Sequence, residues 1–336
     1  MVATAPGPHT ATRPADATAP APVRSGLIDL HTHAIAPSLP DLPAIASWAH
    51  WPSVEQSNET DARILVGGRP YRDIDSRCWS TGRRLADMDA DGVTLQVLSP
   101  VPVTFCHDAP ADGAAVLARA QNDFLAGLVA QRPDRFRALG AVPLQDPGLA
   151  VAELQRCVRQ LGFPGVEIGT RVGRRELGET CFDPFFDTAA ELGVAFGAGL
   201  PSETGVAAAG LLTSGALLRR RPGARLCLAH GGGTLPWLLP RLDKGELIKN
   251  PDMPPGQLPS ALARSLYSDS LTYDVDGLLL AVHRYGADHV MLGTDYPFAA
   301  RESPAGAVIS QACSRLSPEL RADVGSTNAH SLLAIT

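Results

Sequence analysis

No apolar run in this 336-residue chain reaches the roughly 20 residues that a membrane-spanning helix needs, so a membrane partner is not expected. There is no CxxC pair. The six cysteines (Cys78, Cys106, Cys157, Cys181, Cys227, Cys313) lie far apart, several of them inside apolar runs. Free cysteine there behaves as a small hydrophobe, which points to a reducing, cytosolic setting rather than a disulfide scaffold. There is no clustered basic face: the formal net charge is -6 and both signs are mixed along the chain. The short runs "GRR" and "RRRPGAR" read as solvated surface or a subunit contact, and nucleic acid is not expected as a partner. No GxGxxG follows the first strand candidate, which argues against a dinucleotide-binding open sheet. Residues 1–24, "MVATAPGPHTATRPADATAPAPVR", lack the apolar core of a signal peptide. Proline at that density cannot hold a helix, so a disordered tail is expected there, and His9 within it is set aside.

What is present is a rhythm. Eight apolar or β-branched runs, "LIDLH", "VTLQVLS", "FRALGAVPL", "GVEIGT", "VAFGAG", "ARLCLAH", "LYSDS" and "HVMLGTD", punctuate the sequence. Amphipathic stretches such as "DGAAVLARAQNDFLAGLVAQR" and "GLAVAELQRCVRQLG" lie between them, with apolar residues recurring at three and four. Eight parallel βα units predict an α/β fold, a (β/α)₈ TIM barrel, over residues 25–336. Residues 38–79 break the rhythm after the first strand. They hold "ARILVGGRPYRDI", which predicts a hairpin on a Gly-Gly turn, in an insertion that overhangs the mouth of the barrel.

The chemistry-bearing residues fall at strand ends. In "LIDLHTHAIAP", His31 and His33 are two apart and so share one side of a strand, where two imidazoles can converge on one ion. Asp29 lies two residues earlier on that side and reads as an interior hydrogen-bonding group or a strand cap. "CLAHGGG" ends a strand on His230, and "MLGTDYPF" ends the last on Asp295. Taken singly, His230 could cap the following helix and Asp295 could be a paired buried acid. Four such residues at the end of a barrel where enzymes keep their chemistry point instead to a site.

These motifs resemble those of the metal-dependent amidohydrolases and, more narrowly, of the α-amino-β-carboxymuconate-ε-semialdehyde decarboxylase family. "MDADGVTLQVLSPVPVTF", "PDRFRALGAVPLQDP", "CVRQLGFPGVEIGT" and "AHGGGTLPWLLPR" carry the resemblance, from about residue 27 to the C-terminus. It implies that His31, His33 and Asp295 hold Zn²⁺ or another divalent transition metal. It implies that His230 handles the proton of the metal-bound water. Arg72 would bind a substrate carboxylate, and Phe298 would also contact the substrate. Arg241 would do the same in the neighbouring subunit of a homodimer.

The resemblance also calls for a histidine at the end of the fifth strand. The matching position in "LGVAFGAGLPSETG" is Gly199, and no histidine lies between His107 and His230. Either the metal keeps three protein ligands, or Glu167, Glu203 or a turned His230 substitutes, or the metal has been lost and the protein only binds. The expected activity is non-oxidative decarboxylation of a 3-hydroxyanthranilate-related carboxylate. The alternatives are closure of a benzoxazole-type ring from a 3-hydroxyanthranilate ester or amide, or hydrolysis of that bond.

Overall fold

The computed structural model describes residues 26–41, 48–192, 195–198, 201–215 and 225–334. The N-terminal tail and Gly199 lie outside the described residues. The strands in chain order are β1 (Leu27–Ala34), β2 (Pro52–Gln56), β3 (Asp61–Val66), β4 (Arg69–Asp75), β5 (Val93–Pro100), β6 (Phe136–Gly140), β7 (Gly165–Ile168), β8 (Arg171–Val172), β9 (Arg175–Glu176), β10 (Ala195–Ala198), β11 (Arg225–Leu228), β12 (Tyr267–Asp269) and β13 (Val290–Met291). All eight predicted barrel strands are present, in the order β1-β5-β6-β7-β10-β11-β12-β13. Each pairs with its neighbour in parallel.

The ring closes through the backbone. Leu30 N–H donates to Leu292 O (2.8 Å), His33 N–H to Tyr296 O (2.7 Å), and Asp295 N–H to His31 O (2.9 Å). Closure removes both sheet edges and brings the two ends of the metal-type motif side by side. The two predicted helical stretches are the helices Ala111–Gln131 and Pro147–Arg159. The second starts on Asp146, whose carboxylate accepts from Leu149 N–H, with a proline in its first turn.

Two apolar layers divide the interior. The larger packs outward-facing strand residues, among them Leu98, Val166, Ile168, Leu226 and Leu228, against the surrounding helices. The smaller unites Ile28, Leu95, Leu139, Cys227 and Met291 with Leu332 of the last helix. Residues from five strands of a closed ring can meet only inside it, so this cluster is the barrel floor. His31, His33, Glu167 and Asp269 lie towards the opposite, C-terminal ends of their strands. All six cysteines are free thiols.

The Gly-Gly hairpin forms as predicted, with β3 and β4 antiparallel, and β2 adds a third strand on its other side. Ile64 and Ile74 of this small sheet are buried with Ile35 and Val101 from the loops at the barrel mouth. That apolar seam positions Arg72.

Glu302 is buried at 6% exposure, next to the strand-end segment, through a hydrogen bond from its N–H to Thr294 O. Burial pushes its carboxyl up to about 7, although nearby backbone amides oppose the shift. Because the folded value lies above the unfolded one, its proton stabilises the fold at low pH. That contribution is lost as pH rises from the ordinary 4.5 through about 7. Glu302→Gln should therefore raise stability by about 2 kcal/mol at about pH 8 and by little near pH 4.5, read by urea unfolding of chelator-treated protein.

Candidate metal centre

β1 is buried from Ile28 to Ala34, and its last turn of pleat carries His31 and His33. Their Nε2 atoms lie 3.1 Å apart. Asp295 Oδ1 lies 3.1 Å from the Nε2 of His33 and 3.8 Å from that of His31. Two ring nitrogens and a carboxylate oxygen so spaced fit the donor set of one divalent ion. His230 stands edge-on to His31, with ring centroids 5.0 Å apart, and its buried Nδ1 has no hydrogen-bond partner among the described residues. The sequence-derived quartet is thus brought together.

Glu167 joins them. On β7 its neighbours Val166 and Ile168 pack in the outer layer, so strand alternation turns Glu167 inward. It is 4% exposed, and its ligand oxygen lies within 4.8 Å of ligand nitrogens of both His31 and His33. Its Oε2 also lacks a hydrogen-bond partner among the described residues.

Glu203 is placed elsewhere. It accepts from the Thr170 hydroxyl (3.0 Å), lies 3.7 Å from Arg171 and is substantially exposed. Arg241 is exposed on the helix Leu235–Lys249, one turn after Trp237, which is 80% exposed. Among the described residues it makes no ion pair or hydrogen bond with the cluster. Arg72 does approach: its guanidinium sits 4.1 Å from the ring centroid of Phe298, and Phe298 stacks on His33 at 5.2 Å. Arg72, Asp295 and Phe298 line a cavity of about 450 Å³.

The sequence reading missed Asp269, at the end of β12. Its Oδ2 accepts from His31 Nδ1–H (2.7 Å) and His230 N–H (2.8 Å), and its Oδ1 from Gly231 N–H (2.8 Å) and Leu271 N–H (3.1 Å). It fixes which nitrogen of His31 faces the centre and holds the His230 turn in place. Two glycines make this possible. A Cβ at Gly293 would press on Asp269 Cβ (2.7 Å) and His31 Cβ (2.8 Å), and one at Gly232 would land on the Tyr285 hydroxyl. Asp29 ties β1 to the last strand end, accepting from the Thr294 hydroxyl (2.6 Å) and the Thr294 N–H (3.1 Å). Burial pushes its carboxyl up to about 7. Arg84, fully buried, donates to the His33 carbonyl and to Gln96 Oε1 (3.0 Å) beneath the site.

Electrostatically the cluster favours positive charge. Burial opposes charge on His31, but the Asp269 hydrogen bond and the charges of Asp269 and Asp295 outweigh it and raise the ring to about 9. Burial opposes ionisation of Asp269 and Asp295 too, yet the histidines hold both below the usual carboxylate range. His230 goes the other way: burial, with His31 adding to it, pushes it down to about 4. The ring is therefore neutral near pH 7. His230 and Asp295 also have left-handed backbones, with φ of 59° and 63°. Such strain at non-glycine residues persists only where the surroundings enforce it.

Similarity to known proteins agrees with this geometry. A family model described as "Amidohydrolase" matches residues 28–335. The chain is 32% identical over 313 residues to a 2-amino-3-carboxymuconate-6-semialdehyde decarboxylase of Dictyostelium discoideum, covering 85% of this chain and 86% of that one. It is 31% identical to a gamma-resorcylate decarboxylase of Polaromonas sp., covering 71% and 83%. A crystal structure of a dihydroxybenzoic acid decarboxylase from Polaromonas sp., with bound manganese and 2-nitroresorcinol, superposes with a TM-score of 0.73 at 26% identity, covering 93% and 97%. The chain belongs to the amidohydrolase family.

Proposed function

We infer that the protein is a divalent-metal-dependent, non-oxidative decarboxylase of a carboxylate-bearing aromatic or muconate-type substrate related to 3-hydroxyanthranilate. The observation that carries this reading is the convergence of His31, His33 and Asp295 within 3.8 Å, with His230 against His31 and Arg72 at the rim. That the relatives named above are decarboxylases supports it.

A divalent ion held by His31, His33 and Asp295 would supply Lewis-acid chemistry and activate bound water. Zinc, read from the sequence, and manganese, present in the Polaromonas structure, are separated by elemental analysis. Arg72 binds the substrate carboxylate as a planar fork, while Phe298 supplies an apolar wall beside it. His230 takes up a proton and returns it to the carbon that loses carbon dioxide. One C–C bond breaks, one C–H bond forms, and no redox cofactor is needed. The donor geometry does not support a metal-free binding role, and among the described residues no feature of the site favours ring closure or hydrolysis.

Arg241 acts across a homodimer in this reading. Its exposure beside Trp237, on one face of one helix, fits an interface, since tryptophan and arginine are typical anchors there. Free thiols and the lack, among the described residues, of a helix able to cross a membrane fit a cytoplasmic location.

The test is a substrate panel. Metal-loaded protein should consume 2-amino-3-carboxymuconate-6-semialdehyde or a hydroxybenzoate with loss of one carboxyl, and chelator-stripped protein should not. Equal rates with and without metal would contradict the reading. Arg72→Ala should raise KM roughly tenfold with a smaller change in kcat, and Arg72→Lys should not restore it, because the ammonium lacks the fork. Steady-state kinetics on the preferred substrate checks both.

A further inference from the structure

We propose that the Glu167 carboxylate is itself a metal ligand, completing a two-histidine, two-carboxylate centre with His31, His33 and Asp295. This deepens the reading above and rests on it.

Burial comes first. Glu167 is 4% exposed on the interior face of β7, and its Oε2 lacks a hydrogen-bond partner among the described residues. A buried carboxylate oxygen without a donor is strongly unfavourable unless a cation satisfies it. Arginine and lysine do not provide that cation: no ion pair of Glu167 with either is found among the described residues, whereas Glu203, the other candidate acid, has Arg171. The groups that Glu167 does approach are the ring nitrogens of His31 and His33, all within 4.8 Å of its ligand oxygen. Asp295 approaches the Nε2 atoms of the same two histidines. Two carboxylates thus address one pair of imidazoles.

The neighbouring strand carries a glycine beside Glu167. β10 pairs with β7 so that Gly197 stands in register with Glu167, on the same face of the sheet. Glycine offers no donor there. Position 199, where the resemblance calls for a histidine, is also glycine. Glycine has no side chain to ligate at either position, and Glu167 is the acid on the adjacent strand β7.

The exchange of an imidazole for a carboxylate has chemical consequences. Two carboxylates neutralise a divalent ion, whereas three imidazoles and one carboxylate leave it a net positive charge. Oxygen donors also suit harder ions such as manganese better than an added nitrogen does. The proposal therefore predicts a centre shifted towards manganese relative to a three-histidine version of the same site.

The test uses the full-length protein and added metal alone. X-ray absorption of the manganese-loaded wild type should show two coordinated imidazoles, and three would overturn the proposal by placing His230 on the metal. Glu167→Gln should weaken Mn²⁺ binding at least about tenfold in equilibrium dialysis, with the circular dichroism spectrum unchanged. Glu167→His should move the Zn²⁺/Mn²⁺ affinity ratio at least about tenfold towards zinc. Binding by Glu167→Gln within about twofold of wild type overturns the proposal while leaving the decarboxylase reading intact. Should Glu167→Gln misfold, Glu167→His decides: a Zn²⁺/Mn²⁺ affinity ratio within about twofold of wild type also overturns the proposal. A wild type that binds neither metal overturns both readings together.

Discussion

His230→Gln should lower kcat by roughly two to four orders of magnitude, the usual contribution of a positioned acid–base group, with metal content unchanged. The expectation follows from how the residue is held. Its N–H donates to Asp269 Oδ2 (2.8 Å), its backbone is left-handed, and its ring lies against His31 without bonding to it. The backbone would keep its place in the variant, and glutamine keeps a polar side chain of similar reach. What disappears is a ring that is neutral near pH 7 and that the proposed reaction uses to exchange a proton with the reacting carbon. Activity assays paired with elemental analysis check this. Loss of the metal along with the activity would instead make His230 a ligand.

Asp269→Asn should weaken metal binding by roughly 10- to 100-fold and destabilise the fold by about 3 kcal/mol. Asparagine is nearly isosteric, so no cavity explains the effect. The wild-type carboxylate accepts four hydrogen bonds, from the His31 ring and from the backbones of His230, Gly231 and Leu271. An amide replaces one acceptor oxygen with a donor. Whichever way it turns, an NH₂ faces an N–H, and the buried donor left behind has no acceptor. If the NH₂ takes the Oδ2 position, His31 must change tautomer or rotate, and its metal-facing nitrogen is compromised. Urea unfolding of chelator-treated protein and metal titration separate the two losses. Affinity within about twofold of wild type would show that Asp269 does not orient His31.

The sequence made the architecture legible because barrel strands are buried on both faces and read as short apolar runs between amphipathic helices. His31, His33, His230 and Asp295 were legible because each ends such a run, and the barrel converts strand ends into one mouth. Asp269 ends its strand too, one residue before the end of "LYSDS", but a single aspartate carries no local pattern. Its partners His31 and His230 are 238 and 39 residues away and meet it only after the ring closes. Gly293 is similar: its role is the approach of Asp269 and His31, which no spacing encodes. Glu203 and Glu167 looked equivalent as acids near strand ends. Register and pleat separate them, turning Glu167 inward and leaving Glu203 beside Arg171. Arg241 could be named only by resemblance, because its own chain leaves it on the surface.

The central claim is that this centre removes a carboxyl group without oxidation. The most direct measurement is turnover of carboxyl-¹³C-labelled substrate by metal-loaded protein in H₂¹⁸O, under argon and without nicotinamide or flavin. The account predicts one labelled carbon dioxide per substrate consumed, a product one carboxyl lighter, and no activity after metal removal. A product that keeps all its labelled carboxyls and has lost or gained water would contradict it, and would make the centre a cyclase or a hydrolase.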